Sequence, residues 1–79
     1  NDVARLKLPS FSGGEGENPA HFFLKLENVF TAYHIVKEEE KIRIFKQGIH
    51  SKGVDLFMSL DEKTQGRYFS IGDSFYSAF

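Results

Sequence analysis

Asn18-Pro19-Ala20-His21-Phe22-Phe23-Leu24-Lys25-Leu26-Glu27-Asn28-Val29-Phe30-Thr31-Ala32-Tyr33 decides the fold of this chain. Asn18 can accept a hydrogen bond from an orphan amide as a helix N-cap, and Pro19 carries the fixed φ suited to the first helical position. Behind them Phe22, Phe23, Leu26, Val29, Phe30 and Tyr33 recur with helical period and build a broad apolar stripe. His21, Lys25, Glu27 and Asn28 fall mostly on the other side. This is an amphipathic helix that needs a partner surface. Phe30 sits in its stripe, and truncating it to alanine is expected to cost roughly 3–5 kcal/mol.

The C-terminal side repeats the theme. His34 to Lys37 make a short link, and Glu38-Glu39-Glu40 open a second helix, where acidic side chains suit the positive end of the macrodipole. Ile42, Phe45 and Ile49 give its buried stripe, with Ile44 flanking and Gly48 closing the helix. Ser51 is expected to cap a third helix, whose inward set is Val54, Phe57 and Met58 or Leu60. Gly53 inside that helix costs about 1 kcal/mol relative to alanine, a loss best tolerated where another backbone packs close. Residues 61–66 read as a polar connector or a single turn. Tyr68, Ile71, Phe75 and Phe79 form a last helical stripe, which is still running at Phe79. The chain therefore reads as a piece of a longer protein.

Residues 1–17 lack helical period. Leu6, Leu8 and Phe11 alternate loosely with polar residues, Pro9 disfavours helix before it, and Gly13, Gly14 and Gly16 make a flexible connector. The expected architecture is all-α: a small four-helix bundle over 18–79 preceded by an extended arm over 1–17. A chain of 79 residues buries only about 60% of its unfolded surface. Nine phenylalanines and three tyrosines supply the core such a small domain requires.

Composition excludes more than it nominates. With no cysteine there is no disulfide, thiolate metal site or cysteine nucleophile. The formal net charge of −1 lacks the basic footprint of a nucleic-acid binder, so no direct nucleic-acid contact is expected. No apolar run approaches the ~20 residues of a membrane span. His21, His34 and His50 have no i, i+4 metal spacing, and the Gly13-Gly14-x-Gly16 run lacks the lysine and the preceding strand of a phosphate loop. No serine sits in a nucleophile elbow. Catalytic, cofactor-binding and metal-binding residues are therefore expected to be absent, and the chain reads as a non-enzyme. The aromatics outside the four stripes stand apart. Phe11 lies in the arm, Phe23 widens the first helix, and Phe69 and Tyr76 fall off the last stripe. These four are the candidate partner or groove contacts.

The ordered set Leu8-x-x-Phe11-x-Gly13, Asn18-Pro19-x-x-Phe22-Phe23, Phe30 and Glu38-Glu39-x-Lys41-x-Arg43 resembles the Gag capsid region of Ty3/gypsy-type retrotransposons. Ser51-Lys52-Gly53-Val54-Asp55-Leu56-Phe57-Met58-Ser59-Leu60 is similar to that family's G-K-A-x-x-W-x-x-x-L helix. Tyr68-x-x-Ile71-x-x-x-Phe75-x-x-x-Phe79 is similar to its W-x-x-L-x-x-x-F-x-x-x-F close. The family's two tryptophans are replaced by Leu56 and Tyr68, its alanine by Gly53 and its glycine by Ser51. The resemblance implies the N-terminal lobe of a capsid protein, self-associating in a cytoplasmic virus-like particle, with RNA binding left to a separate region. The family includes Arc-like host-domesticated relatives whose N-lobes bind short peptides in a hydrophobic groove, which implies an alternative adaptor role.

Overall fold

A computed structural model describes residues 8–79; residues 1–7, Leu6 of the arm among them, lie outside the described residues. Five helices follow in order: α1 (Pro19–Ala32), α2 (Glu38–Gly48), α3 (Lys52–Ser59), α4 (Glu62–Gln65) and α5 (Tyr68–Ala78). The domain is all-α, and the polar stretch at 61–66 is the single helical turn α4. α1 opens as its sequence directs: the Asn18 side chain accepts a hydrogen bond from the Ala20 amide at 2.8 Å, with Pro19 in the first turn. It closes through a left-handed residue, His34 at φ 55°. The His34 amide donates to the Thr31 carbonyl at 3.3 Å and the Ile35 amide to the Phe30 carbonyl at 2.8 Å. This pair of bonds is the Schellman arrangement, and it tucks Ile35 against the core as the helix ends.

Helix ends elsewhere are satisfied by side chains. The carboxylate of Glu38, in the first turn of α2, accepts from the Tyr68 amide at 3.1 Å and so caps α5. Gln65 Nε2 donates to the Phe57 and Leu60 carbonyls at 2.9 and 3.0 Å, closing α3. Asp61 accepts from the Thr64 amide at 3.1 Å and caps α4. Each removes an orphan backbone group that would otherwise weaken a short helix.

The arm is stitched into the body. Phe11 forms a single parallel β-bridge with Ile49. The Phe11 amide donates to the Gly48 carbonyl at 2.8 Å, the His50 amide to the Phe11 carbonyl at 2.9 Å, and the Lys52 amide to the Ser12 carbonyl at 3.1 Å. Two glycines permit the approach. A Cβ on Gly48 would lie 2.6 Å from the Pro9 carbonyl oxygen, and one on Gly53 would lie 3.0 Å from the Phe11 carbonyl oxygen. The neighbouring backbone expected beside Gly53 is therefore the arm.

Seating the arm corrects two details of the third helix. Ser51 does not cap it with its side chain; it adopts φ 49° and ψ −120° instead. That is the first central position of a type II′ turn, closed by the Gly53 amide on the His50 carbonyl at 2.9 Å. The reversal lets residues 49–52 face the arm. The inward set of α3 is Gly53 and Phe57, with Leu56 and Leu60 half-buried. Val54 and Met58 turn outward because the arm fills the Gly53 side. Ser51→Gly is expected to relieve the left-handed strain, raising stability by about 1 kcal/mol and melting by roughly 4–8 °C. Differential scanning calorimetry would check it; an unchanged or lower midpoint would show that serine is at ease there.

One side chain latches the arm's connector. Glu17 Oε1 accepts from the Ser12 amide at 3.0 Å, the Ser12 hydroxyl at 2.8 Å and the Gly14 amide at 2.8 Å. The Gly14 amide, then the Ser12 hydroxyl, hold this carboxyl below its ordinary value of 4.5. A carboxyl depressed on folding adds stability above its unfolded value and loses it as pH falls through the folded one. Protection of the Ser12 and Gly14 amides, measured against their intrinsic exchange rates, should therefore fall in acid below that range. Glu17→Gln should show the lowered protection already at neutral pH.

The core is built mostly of rings. Phe45 is fully buried, with centroids 5.9 Å from Phe22, 5.7 Å from Phe23, 5.9 Å from Phe57 and 5.3 Å from Phe75. Leu26, Ile71 and Phe75 are equally inaccessible, and Ile44, expected to flank, is buried too. Edge-to-face and offset pairs of this kind add about 0.5–1.5 kcal/mol beyond the area they bury. None of the described helices is long and apolar enough to cross a membrane.

Candidate docking cleft on the last helix

α5 turns Ile71 and Phe75 into the core. Phe69 lies two residues before Ile71 and Tyr76 one after Phe75, so both leave the buried stripe. Phe69 is 79% exposed and Tyr76 50%. Phe69, Gly72, Asp73 and Tyr76 are spaced i, i+3, i+4 and i+7, which puts them on one face of the helix.

That face borders a cleft. Phe23 of α1 sits at its base, with ring centroids 5.6 Å from Tyr76 and 6.0 Å from Tyr68. Glu27 and Asp73 join the aromatic residues, and the hollow encloses about 220 Å³. Gly72 keeps it open, because a Cβ there would meet only the Phe23 ring, at 3.9 Å. Larger hollows exist, such as one beside Lys25 and Val29, but they are more open and have no such convergence of rings and carboxylates.

The four candidates from sequence therefore divide. Phe69 and Tyr76 are surface residues of the cleft. Phe11 and Phe23, expected near the surface, are 1% and 2% exposed and belong to the core. The arm carries Phe11 inward, against Phe22, Phe75 and Phe79 at 5.6, 5.9 and 5.1 Å. Phe23 is covered because α5 crosses α1, so that its ring lies against Phe75 as well as Tyr76. Phe11 takes no part in the cleft, and Phe23 enters it only from below.

Sequence reasoning passed over Glu27, Gly72 and Asp73, and assigned Tyr68 to packing alone. The signal for the α5 members was the second i, i+3, i+4, i+7 set on that helix. No such signal joined Glu27, which comes from another element. The Tyr68 hydroxyl is buried with no hydrogen-bond partner among the described residues. Burial first, and then the Glu27 carboxylate and Tyr76, push it far above the usual phenol range, so it stays a neutral hydroxyl with donor and acceptor capacity to spare. A second, open hollow adjoins across Glu27 and Tyr68, where Lys41 Nζ rests 5.7 Å from the centre of the Phe30 ring.

His21 in α1 and His34 and His50 in the links after α1 and α2 are exposed, and no group of three histidine, aspartate or glutamate side chains among the described residues could hold a metal ion. No protein-family description, curated protein or solved structure matches the chain.

Proposed function

We propose that this chain is a structural assembly module: the N-terminal lobe of a Gag-type capsid protein, contributing self-association contacts to a virus-like particle. The observation that carries the reading is the fate of the ordered apolar set. Phe11, Phe22, Phe23, Phe30, Ile71 and Phe75, six apolar positions of the resemblance, pack into one core, with Leu56, Leu60 and Tyr68 half-buried against it. The same helix that closes this core leaves Phe69 and Tyr76 outside it, as a surface for another protein. Electron microscopy of the parent chain, carrying the downstream helical lobe of such capsids, tests the proposal. Particles are expected at some salt concentration, and failure to assemble at any would remove it.

The cleft supports a second reading, an adaptor that docks short peptides over Phe23. Its shape favours this: a concave aromatic hollow with a few convergent polar groups suits a side chain better than it suits a flat lattice contact. The isolated domain would then bind peptides as a monomer, and amide chemical-shift mapping would show changes confined to α5 and the adjoining turn of α1.

A further inference from the structure

The lining of the cleft is specific in its chemistry. Phe23, Tyr68, Phe69 and Tyr76 surround it, and its two charged members, Glu27 and Asp73, are both carboxylates. Aromatic faces carry negative potential and attract cations within about 6 Å of the ring centre. Carboxylates at the rim add charge of the same sign. We infer that the cleft is a receptor for a basic side chain, arginine or lysine, presented by a peptide segment of a partner protein.

The geometry suits that occupant. Phe69 and Tyr76 stand two helical turns apart, roughly 10 Å along the axis, and Gly72 between them leaves the gap clear down to Phe23. A long, thin side chain can enter there with its charged head beside Asp73 and Glu27. An uncharged apolar side chain would gain the rings but leave both carboxylates without a counter-charge. The chain itself makes the same kind of contact in the adjoining hollow, where Lys41 lies over Phe30. It does so again at Lys46, 5.6 Å from the centre of the Phe57 ring. Lys41 borders Glu27 from that neighbouring side and is absent from the lining of this cleft.

The inference rests on reading the cleft as a docking site and specifies what docks. Three short glycine-serine peptides, carrying one central arginine, citrulline or phenylalanine, would be titrated into the isotope-labelled 79-residue chain. The arginine peptide is expected to bind in the millimolar range, shifting the amides of Phe69 to Tyr76 and those near Phe23 and Glu27, and to weaken as salt is raised. Citrulline, equal in shape but neutral, should shift little. Tyr76→Ala should weaken arginine binding roughly fivefold to thirtyfold. Asp73→Asn, at an exposed position, should also weaken it while leaving the spectrum folded. Gly72→Ala should obstruct the gap while favouring the helix. Equal binding of citrulline, or of phenylalanine in place of arginine, overturns the basic-side-chain assignment and leaves the docking site standing. Silence of α5 toward all three peptides overturns both.

Discussion

Replacing Phe45 with alanine is expected to cost roughly 3–5 kcal/mol and, since a domain of this size holds only about 5–15 kcal/mol in total, to leave the protein at the edge of unfolding. Phe45 is the hub of the core. It has no exposed surface, and four other rings from α1, α3 and α5 lie against it. Truncation removes its own burial and opens a void among groups that cannot all close over it. Urea unfolding followed by circular dichroism would measure the loss. Phe30→Ala should cost less, because Phe30 sits at the rim, with the Lys41 ammonium and the ring of Tyr68 beside it. A Phe30→Ala variant less stable than Phe45→Ala would mean that the centre of the core lies elsewhere.

Phe11→Ala should have a comparable effect, near 3–5 kcal/mol, for a different reason. Phe11 is the arm's anchor, and without its ring the arm keeps backbone hydrogen bonds but little apolar burial. Loss of the arm then uncovers Phe22, Phe75 and Phe79. Gly48→Ala reaches the same end from the other side. Its Cβ would collide with the Pro9 carbonyl oxygen, a backbone atom that cannot rotate away, and overpacking of this kind costs about 1–3 kcal/mol. Both variants should raise amide exchange at His50 and Lys52, which donate to the arm. Gly66→Ala, where the nearest atom to a new Cβ is 3.7 Å away, should leave that exchange unchanged. Protected His50 and Lys52 amides in Phe11→Ala would show that the arm is held by its backbone alone.

Helical period and end signals made much of this legible from sequence. Asn18-Pro19 and the acidic run at 38–40 mark starts that the structure keeps. Apolar spacing located Phe45, Ile71 and Phe75 correctly, because a stripe on a short amphipathic helix has one place to go. The arm was harder. Phe11 has no periodic neighbours, and its burial depends on glycines some forty residues away, at 48 and 53. No local pattern expresses that dependence. Ser51 misled for a related reason: serine before a helix favours a cap, but the turn needed to meet the arm overrode it. In the cleft, Phe69 and Tyr76 were recognisable as residues left over from the core. Glu27 and Tyr68 acquire their place only when α5 crosses α1.

On the proposed reading, the outer face of α5 is the working surface. On the capsid proposal, the decisive measurement is sedimentation velocity of a chain carrying this domain and a downstream helical lobe, wild type against Phe69→Glu with Tyr76→Glu. Phe69 and Tyr76 are 79% and 50% exposed, and circular dichroism would check that the double variant stays folded. Fast-sedimenting particles are expected for the wild type and only small species for the double variant. A double variant that assembles as readily as the wild type would contradict it.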